Sequence, residues 1–141
     1  MSGPVAAEVP ALIHRWAEAY RAKDIEELVG FAIGDEVQLV GTGADEVRFG
    51  LDEYRAQVER DLTQADEVAM SFLNLHIAEA GGAAFAYCHV RVAGSTGGQS
   101  FDMSGLRAAF GLVRTGEGWG IVQGHLSTPD SAQTEGSSFE G

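Results

Sequence analysis

The spacing of apolar residues changes once along this chain, after Ala65, and that change constrains the fold more than any motif does. Ahead of it, Val9, Leu12, Ile13, Trp16 and Tyr20 recur at helical intervals with Glu8, Arg15, Glu18 and Arg21 between them. That pattern predicts an amphipathic helix from Glu8 to about Ala22. Asp24 and Glu27 then form a D-x-x-E start before Ile25, Leu28 and Val29, which predicts a short second helix ending between Phe31 and Gly34. EVQLVGT (Glu36 to Thr42) reads as a strand and GTGADEVRFG as a turn with a short strand. Gly50 opens a third helix, with Asp52 and Glu53 in its first turn, where the helix dipole favours acids, and Leu51, Tyr54, Val58 and Leu62 as its apolar stripe.

Beyond Ala65 the period is two. Val68 to Ala78, Ala83 to Ala93, Phe101 to Arg114 and Trp119 to Ser127 read as four strands joined by EAGG, the longer GSTGGQS, and TGEG. Gly-rich connections of this length predict an antiparallel meander. Helices followed by strands imply an α+β domain with three N-terminal helices packed on one face of a mainly antiparallel sheet. The expected layout is a flexible lead over residues 1–7, one domain over 8–129, and a polar, Gly/Ser-rich disordered tail over 130–141.

Charge narrows the function. Nine basic residues against 21 acidic ones give a net charge of −12. Phosphate neutralisation needs a basic patch, so nucleic acid is not an expected partner, and anionic membrane surfaces are disfavoured for the same reason. Cys88 is the only cysteine, which excludes an internal disulfide and a multi-thiolate metal site. His76, His89 and His125 fall on three different strands, no H-x-H pair exists, and His14 lies on the first helix, so neither a metal nor another cofactor is expected. A cytoplasmic protein is the expectation, because the first ten residues carry no Lys or Arg and no apolar run approaches the length of a membrane span.

Three helices before a long meander ending in W-x-I-V-x-x-H-x-S-x-P resemble the nuclear transport factor 2-like superfamily, and within it the SnoaL-like (polyketide-cyclase-like) domains. AEAYRAKDIEELVGF, VGTGADEVRFGLDEYRAQV and GEGWGIVQGHLSTP carry the resemblance, over most of Ala11 to Pro129. It implies a cone in which a strongly curved sheet wraps the helices around an apolar pocket, with the outer sheet face pairing two copies. It does not imply one reaction, since the superfamily contains isomerases, cyclases, epoxide hydrolases, dehydratases and non-catalytic modules. Ketosteroid-isomerase-like members carry a carboxylate base on the first strand, yet Val37-Gln38-Leu39-Val40 holds none, so that activity is not expected. Epoxide-hydrolase-like members use two aspartates and an arginine; Asp102, Arg91 and Arg107 supply the residue types without a spacing that joins them. Kinase association domains place a pocket arginine near the position of His89. The G-T-G-A-D-E stretch lacks the third glycine and the following helix of a dinucleotide loop, so it reads as a turn in which Gly41 and Gly43 permit backbone angles closed to other residues.

The candidate pocket residues follow from the faces. Trp16 and Tyr20 lie one turn apart on the first helix, and Tyr54 lies on the third. Asn74 and His76 share a strand face with Phe72, and Phe110 belongs to an apolar face with Leu106, Ala108 and Leu112. Tyr87, His89 and Arg91 form an aromatic-to-polar row with Phe85, opposite the small residues Ala84, Ala86, Cys88, Val90 and Val92. On the last strand, burying Val122 and Leu126 turns Trp119, Ile121, Gln123 and His125 outward with Arg107 as a dimer face, unless a bulge shifts the phase. The expected function is binding of a small, mainly apolar organic ligand by a homodimer. The alternative is a cyclase, isomerase or hydrolase using His89 or His76 for proton transfer.

Overall fold

The computed structural model describes residues 4–116 and 118–139; the parts of the expected lead, last turn and tail at 1–3, 117 and 140–141 lie outside the described residues. Helices α1 (Pro4–Arg21), α2 (Ile25–Gly30) and α3 (Leu51–Gln64) precede the long strands, with short strands β1 (Gln38–Val40) and β2 (Val47–Phe49) between α2 and α3. β3 (Glu67–Ala80), β4 (Ala83–Thr96), β5 (Gln99–Thr115) and β6 (Gly118–Ser127) follow. One six-stranded sheet has the order β2-β1-β6-β5-β4-β3. Among the strand pairs of the described residues only β1–β6 is parallel, which gives the α+β cone.

Local chemistry accounts for the element ends. α1 starts ahead of Glu8 and takes in residues expected as a flexible lead, because Val5 lies one turn before Val9 and both are buried. The Asp24 carboxylate accepts from the Glu27 amide at 3.1 Å and caps α2. Gly50, at φ 91°, has no side chain to cap α3, so Asp35 Oδ1 accepts from the Leu51 amide at 3.1 Å instead. The expected long β4–β5 loop is a two-residue turn, Gly97-Gly98, with both φ values positive, as such hairpin turns require. Residues 130–139 form local turns and bends.

The inner face of the sheet is set by three breaks in register, and all three follow one rule. Strict alternation along β3 would carry Asn74 and His76 inward behind Val68 and Phe72. The β3–β4 register instead slips between Leu73 and His76, with Asn74 at φ 57°. Beyond the slip, Leu75 and Ile77 pack on the core while Asn74 and His76 are exposed. On β5 the slip falls opposite Arg91, where Gly105 has φ 79°, so that Phe101 packs inward before it and Leu106, Ala108 and Leu112 after it. On β6 it falls at Val122, and the outward placement expected for Trp119 and Ile121 is corrected: they are 7% and 6% exposed, with Leu126 on the same side. The bulges keep Asn74 and His76 on β3, Arg107 on β5, and Gln123 and His125 on β6 out of the inner face in favour of apolar side chains, at about 1.5–3 kcal/mol for each large one fully buried. Each bulge also bends its strand, which curves the sheet around the helices. The small inner row of β4, from Ala84 to Val92, is at most 5% exposed and lets α1 approach closely.

Candidate functional site

Between α1, α3 and the inner sheet face lies a cavity of about 90 Å³. Its apolar wall comes from Trp16 and Tyr20 of α1, Val58 of α3, Met70 and Phe72 of β3, Ala108 and Phe110 of β5, Leu39 of β1 and Leu126 of β6. Trp16 stacks on Tyr20 at 5.1 Å, and the edge-on contacts Trp16–Phe72 and Phe72–Phe110 are 6.0 and 5.6 Å. Tyr20, Glu46, Asp61, Met70 and Leu126 also line an adjoining cleft of about 270 Å³, so they form the wall that the two spaces share. Tyr54 stands behind Trp16: its hydroxyl accepts from Trp16 Nε1 at 3.0 Å and donates to the Leu28 carbonyl at 3.0 Å.

The polar end is built from α3 and the 41–46 turn. Gln57 and Asp61 are four residues apart on one helical face. Asp61 Oδ2 accepts from the Tyr20 hydroxyl at 3.2 Å, and Asp61 Oδ1 accepts from Gln57 Nε2 at 2.8 Å. Gln57 Nε2 also donates to Glu46 Oε2 at 3.2 Å, and Arg48 Nε donates to Gln57 Oε1 at 3.0 Å. Arg60 bridges Asp45 and Glu46 at 2.7 and 2.8 Å. Glu46 is held by the turn itself, its Oε1 accepting from the Gly43 amide at 2.7 Å. A Cβ at Gly41 would stand 2.5 Å from Glu46 Oε1, and one at Gly43 would stand 3.1 Å from Glu46 Cδ. Neither glycine has positive φ, so the turn uses them for space rather than for backbone angle.

Burial pushes the Asp61 carboxyl above its ordinary range and the Glu46 charge adds to the rise, against the opposing hydrogen bonds from Gln57 and Tyr20. Burial, then the Asp61 charge, raises the Tyr20 hydroxyl. Burial alone lifts the Tyr54 hydroxyl, to about 12. The site can therefore accept hydrogen bonds or a proton at Asp61. Its donors face carboxylates or one another.

Of the expected pocket residues, Trp16, Tyr20, Phe72 and Phe110 line the cavity, and Tyr54 supports it. Asn74, His76, Tyr87, His89 and Arg91 do not. The small β4 row packs against α1, which turns the aromatic row outward, and the β3 bulge sends Asn74 and His76 after it. There Asn74 Nδ2 lies 3.3 Å from His89 Nδ1, and Arg91 pairs with Asp102 at 2.5 Å. The expectation missed Gln57, Asp61 and Glu46. The signal for the first two was present: both fall within the Tyr54–Val58–Leu62 stripe, where a polar residue must be buried, and Gln57 is 3% exposed.

The outer face carries a groove of about 600 Å³ lined in part by His76, Phe85, Tyr87, Val113, Val122 and Gln123. Arg107 and His125 flank a smaller depression beside Tyr87. Phe85, Leu73 and Tyr87 are 54%, 49% and 38% exposed there. Trp119 is held inside, donating from Nε1 to Glu8 at 3.1 Å, with the Arg114 guanidinium 4.4 Å above its ring. Among the described residues, no group of three His, Cys, Asp or Glu side chains is placed to hold a metal ion, and no helix is long and apolar enough to cross a membrane.

Solved structures share this architecture. An NTF2-like protein of unknown function from Pseudomonas putida is 25% identical, with a TM-score of 0.75 and 91% of each chain covered. A candidate dehydratase of the NTF2-like family from Streptomyces avermitilis is 17% identical, with a TM-score of 0.82 over 89% of this chain and 97% of that one. A candidate aromatic-ring hydroxylase from Novosphingobium aromaticivorans is 16% identical, with a TM-score of 0.80 over 90% of this chain and 92% of that one. No curated protein matches the chain significantly. One fold thus accompanies three different descriptions, and the likeness carries no activity with it. The SnoaL-like domain matches residues 9–131, from the second turn of α1 to beyond the end of β6, and the chain belongs to that family.

Proposed function

We propose that this protein binds one small, mainly apolar organic molecule in the cavity between α1, α3 and the sheet. The observation that supports this best is the cavity itself: a ring of Trp16, Tyr20, Phe72 and Phe110 closed at one end by Asp61 and Gln57. Small-ligand sites have this build, an apolar body with a few polar groups that fix orientation. A volume of about 90 Å³, open to the neighbouring cleft, suits a single ring or a short branched chain whose polar end reaches Asp61. A catalytic reading through His76 or His89 has no support from their position, since both lie on the outer face away from the cavity. Toluene titrated into the protein, followed by methyl NMR, tests the binding reading. Saturable shifts are expected at Val58, Leu39 and Leu126, and Ala108→Leu, which fills the cavity, should abolish them. Shifts confined to the outer face, or none at all, would refute it.

The same reading includes a homodimer formed through the outer sheet face. Acidic groups are sparse on the long strands, where Asp102 is already paired with Arg91, so this face lets two strongly acidic chains meet with little repulsion. Exposed Leu73, Phe85 and Tyr87 supply an apolar centre. Sedimentation at micromolar concentration should give about twice the 14.9 kDa chain mass, and Phe85→Asp should halve it. A wild-type monomer under those conditions removes the dimer from the proposal. The single buried thiol, Cys88, fits a reducing compartment such as the cytoplasm.

A further inference from the structure

We infer that the ligand of the inner cavity is a protonated amine carried on a compact apolar or aromatic body. This rests on the binding reading above and adds the charge and hydrogen-bonding class of what is bound.

The argument is a count of donors. Among the described residues, the side-chain N–H and O–H groups that line the cavity are already engaged within the protein. The Trp16 indole N–H goes to Tyr54, and the Tyr20 hydroxyl goes to Asp61. Both protons of the Gln57 amide are used, one on Asp61 and one on Glu46. His125 borders the cavity from β6, but it is exposed and belongs to the outer depression beside Tyr87 and Arg107. The wall therefore offers a ligand acceptors and no spare donor. A ketone, ester, carboxylate or developing oxyanion held in the inner cavity would find no free side-chain donor on that wall, since the Thr42 and Gln64 side chains lie out in the cleft, and desolvating such a group without a partner is unfavourable.

Charge points the same way. In the network behind the cavity, the carboxylates of Asp45, Glu46 and Asp61 face the guanidinium groups of Arg48 and Arg60. Arg60 binds Asp45 and Glu46, and Arg48 binds the neutral Gln57 oxygen. The unmatched negative charge thus falls on Asp61, whose hydrogen-bond partners, Tyr20 and Gln57, are both neutral. An ammonium supplies the missing charge and two or three donors at one point. The four aromatic rings of the wall, Trp16, Tyr20, Phe72 and Phe110, present π-systems that attract cations. With its ring in the inner cavity, a ligand would place its ammonium at the wall shared with the cleft, where Asp61, Glu46 and the Tyr20 oxygen converge.

The test compares four probes of similar shape at pH 7 by methyl NMR: benzylammonium, benzyl alcohol, benzaldehyde and toluene. Benzylammonium is expected to bind about tenfold or more tighter than benzyl alcohol, a hydrogen bond between charged groups being stronger by roughly 1.4 kcal/mol. Benzaldehyde should be the weakest of the polar probes. Asp61→Asn should bring benzylammonium down to the level of benzyl alcohol. The wild-type series decides the question even if that variant fails to fold. Toluene binding with benzylammonium no tighter than benzyl alcohol would overturn the amine assignment and leave the cavity reading standing. If none of the four shifts the cavity methyls, the cavity reading falls and the amine assignment with it.

Discussion

Tyr54 joins two helices through one oxygen, and Tyr54→Phe measures what that junction contributes. The hydroxyl accepts the Trp16 indole N–H from α1 and donates to the Leu28 carbonyl at the end of α2, both at 3.0 Å, and Tyr54 is 5% exposed. Removing the oxygen leaves the buried indole N–H without a partner, at a cost of about 1–3 kcal/mol. The Leu28 carbonyl is affected less, because the Phe31 amide also reaches it at 3.3 Å, so its share is put at about 0.5 kcal/mol. The total is about 1.5–3.5 kcal/mol, read as a lower midpoint in urea unfolding followed by circular dichroism, at fixed protein concentration and with an unchanged slope. The double-mutant cycle sharpens the reasoning. Trp16→Phe deletes the N–H that Tyr54→Phe would leave unpaired, so the double variant should be less destabilised than the sum of the singles, by about 1–2 kcal/mol. A loss below about 0.5 kcal/mol in Tyr54→Phe, or simple additivity, would refute the claim that this oxygen holds α1 to α2.

Other predictions follow from the same contacts. Phe72→Ala removes the ring that touches both Trp16 and Phe110, and should cost about 3–5 kcal/mol in the same assay while enlarging the cavity. Asp61 has a folded-state carboxyl pKa above its unfolded value, so the folded protein holds the extra proton and the group's unfavourable contribution grows as pH rises through that folded value. Asp61→Asn should therefore gain stability relative to wild type between acidic and neutral pH, with the difference closing as pH falls towards about 4, the ordinary carboxylate value; an equal difference at both ends would contradict the assigned shift. Burial pushes the Cys88 thiol up to about 11, so it should resist a disulfide reagent at pH 8 in the folded protein and react at once in urea. Gly41→Ala, whose Cβ would meet Glu46 Oε1 at 2.5 Å, should displace that carboxylate and alter benzylammonium affinity with little change in toluene binding.

The helices, the strands and most turns were legible because each follows from local periodicity and glycine placement. The orientation of the strands was only half legible. Phe72 and Phe110 were placed inside correctly by simple alternation, and His76, Trp119 and Ile121 were misplaced by it. The difference is the bulges, and the sequence carried their trace. Along VAMSFLNLHI the large apolar residues occupy even positions up to Phe72 and odd positions from Leu73 onward, so the hydrophobic phase itself slips where the backbone does. The row Phe85–Tyr87–His89–Arg91 was misjudged for another reason: the larger side chains do not belong inside when a helix must approach, and the opposite row of Ala, Cys and Val allows closer packing. Glu46 could not be found by either route, since it reaches the cavity through a turn whose shape depends on Gly43, Arg60 and Gln57 together.

The bulge at Asn74 has a further consequence, for solubility. β3 is paired on one side only, and its 14 residues form a long free edge. A straight edge of that length is a ready template for a strand from another molecule. Asn74, held at φ 57°, breaks the edge near its middle and twists its two halves apart, so that no incoming strand can stay in register along the whole of it. The feature that places Leu75 and Ile77 in the core thus also guards against runaway sheet-to-sheet assembly, and a deletion that straightened β3 would be expected to cause aggregation before it caused unfolding.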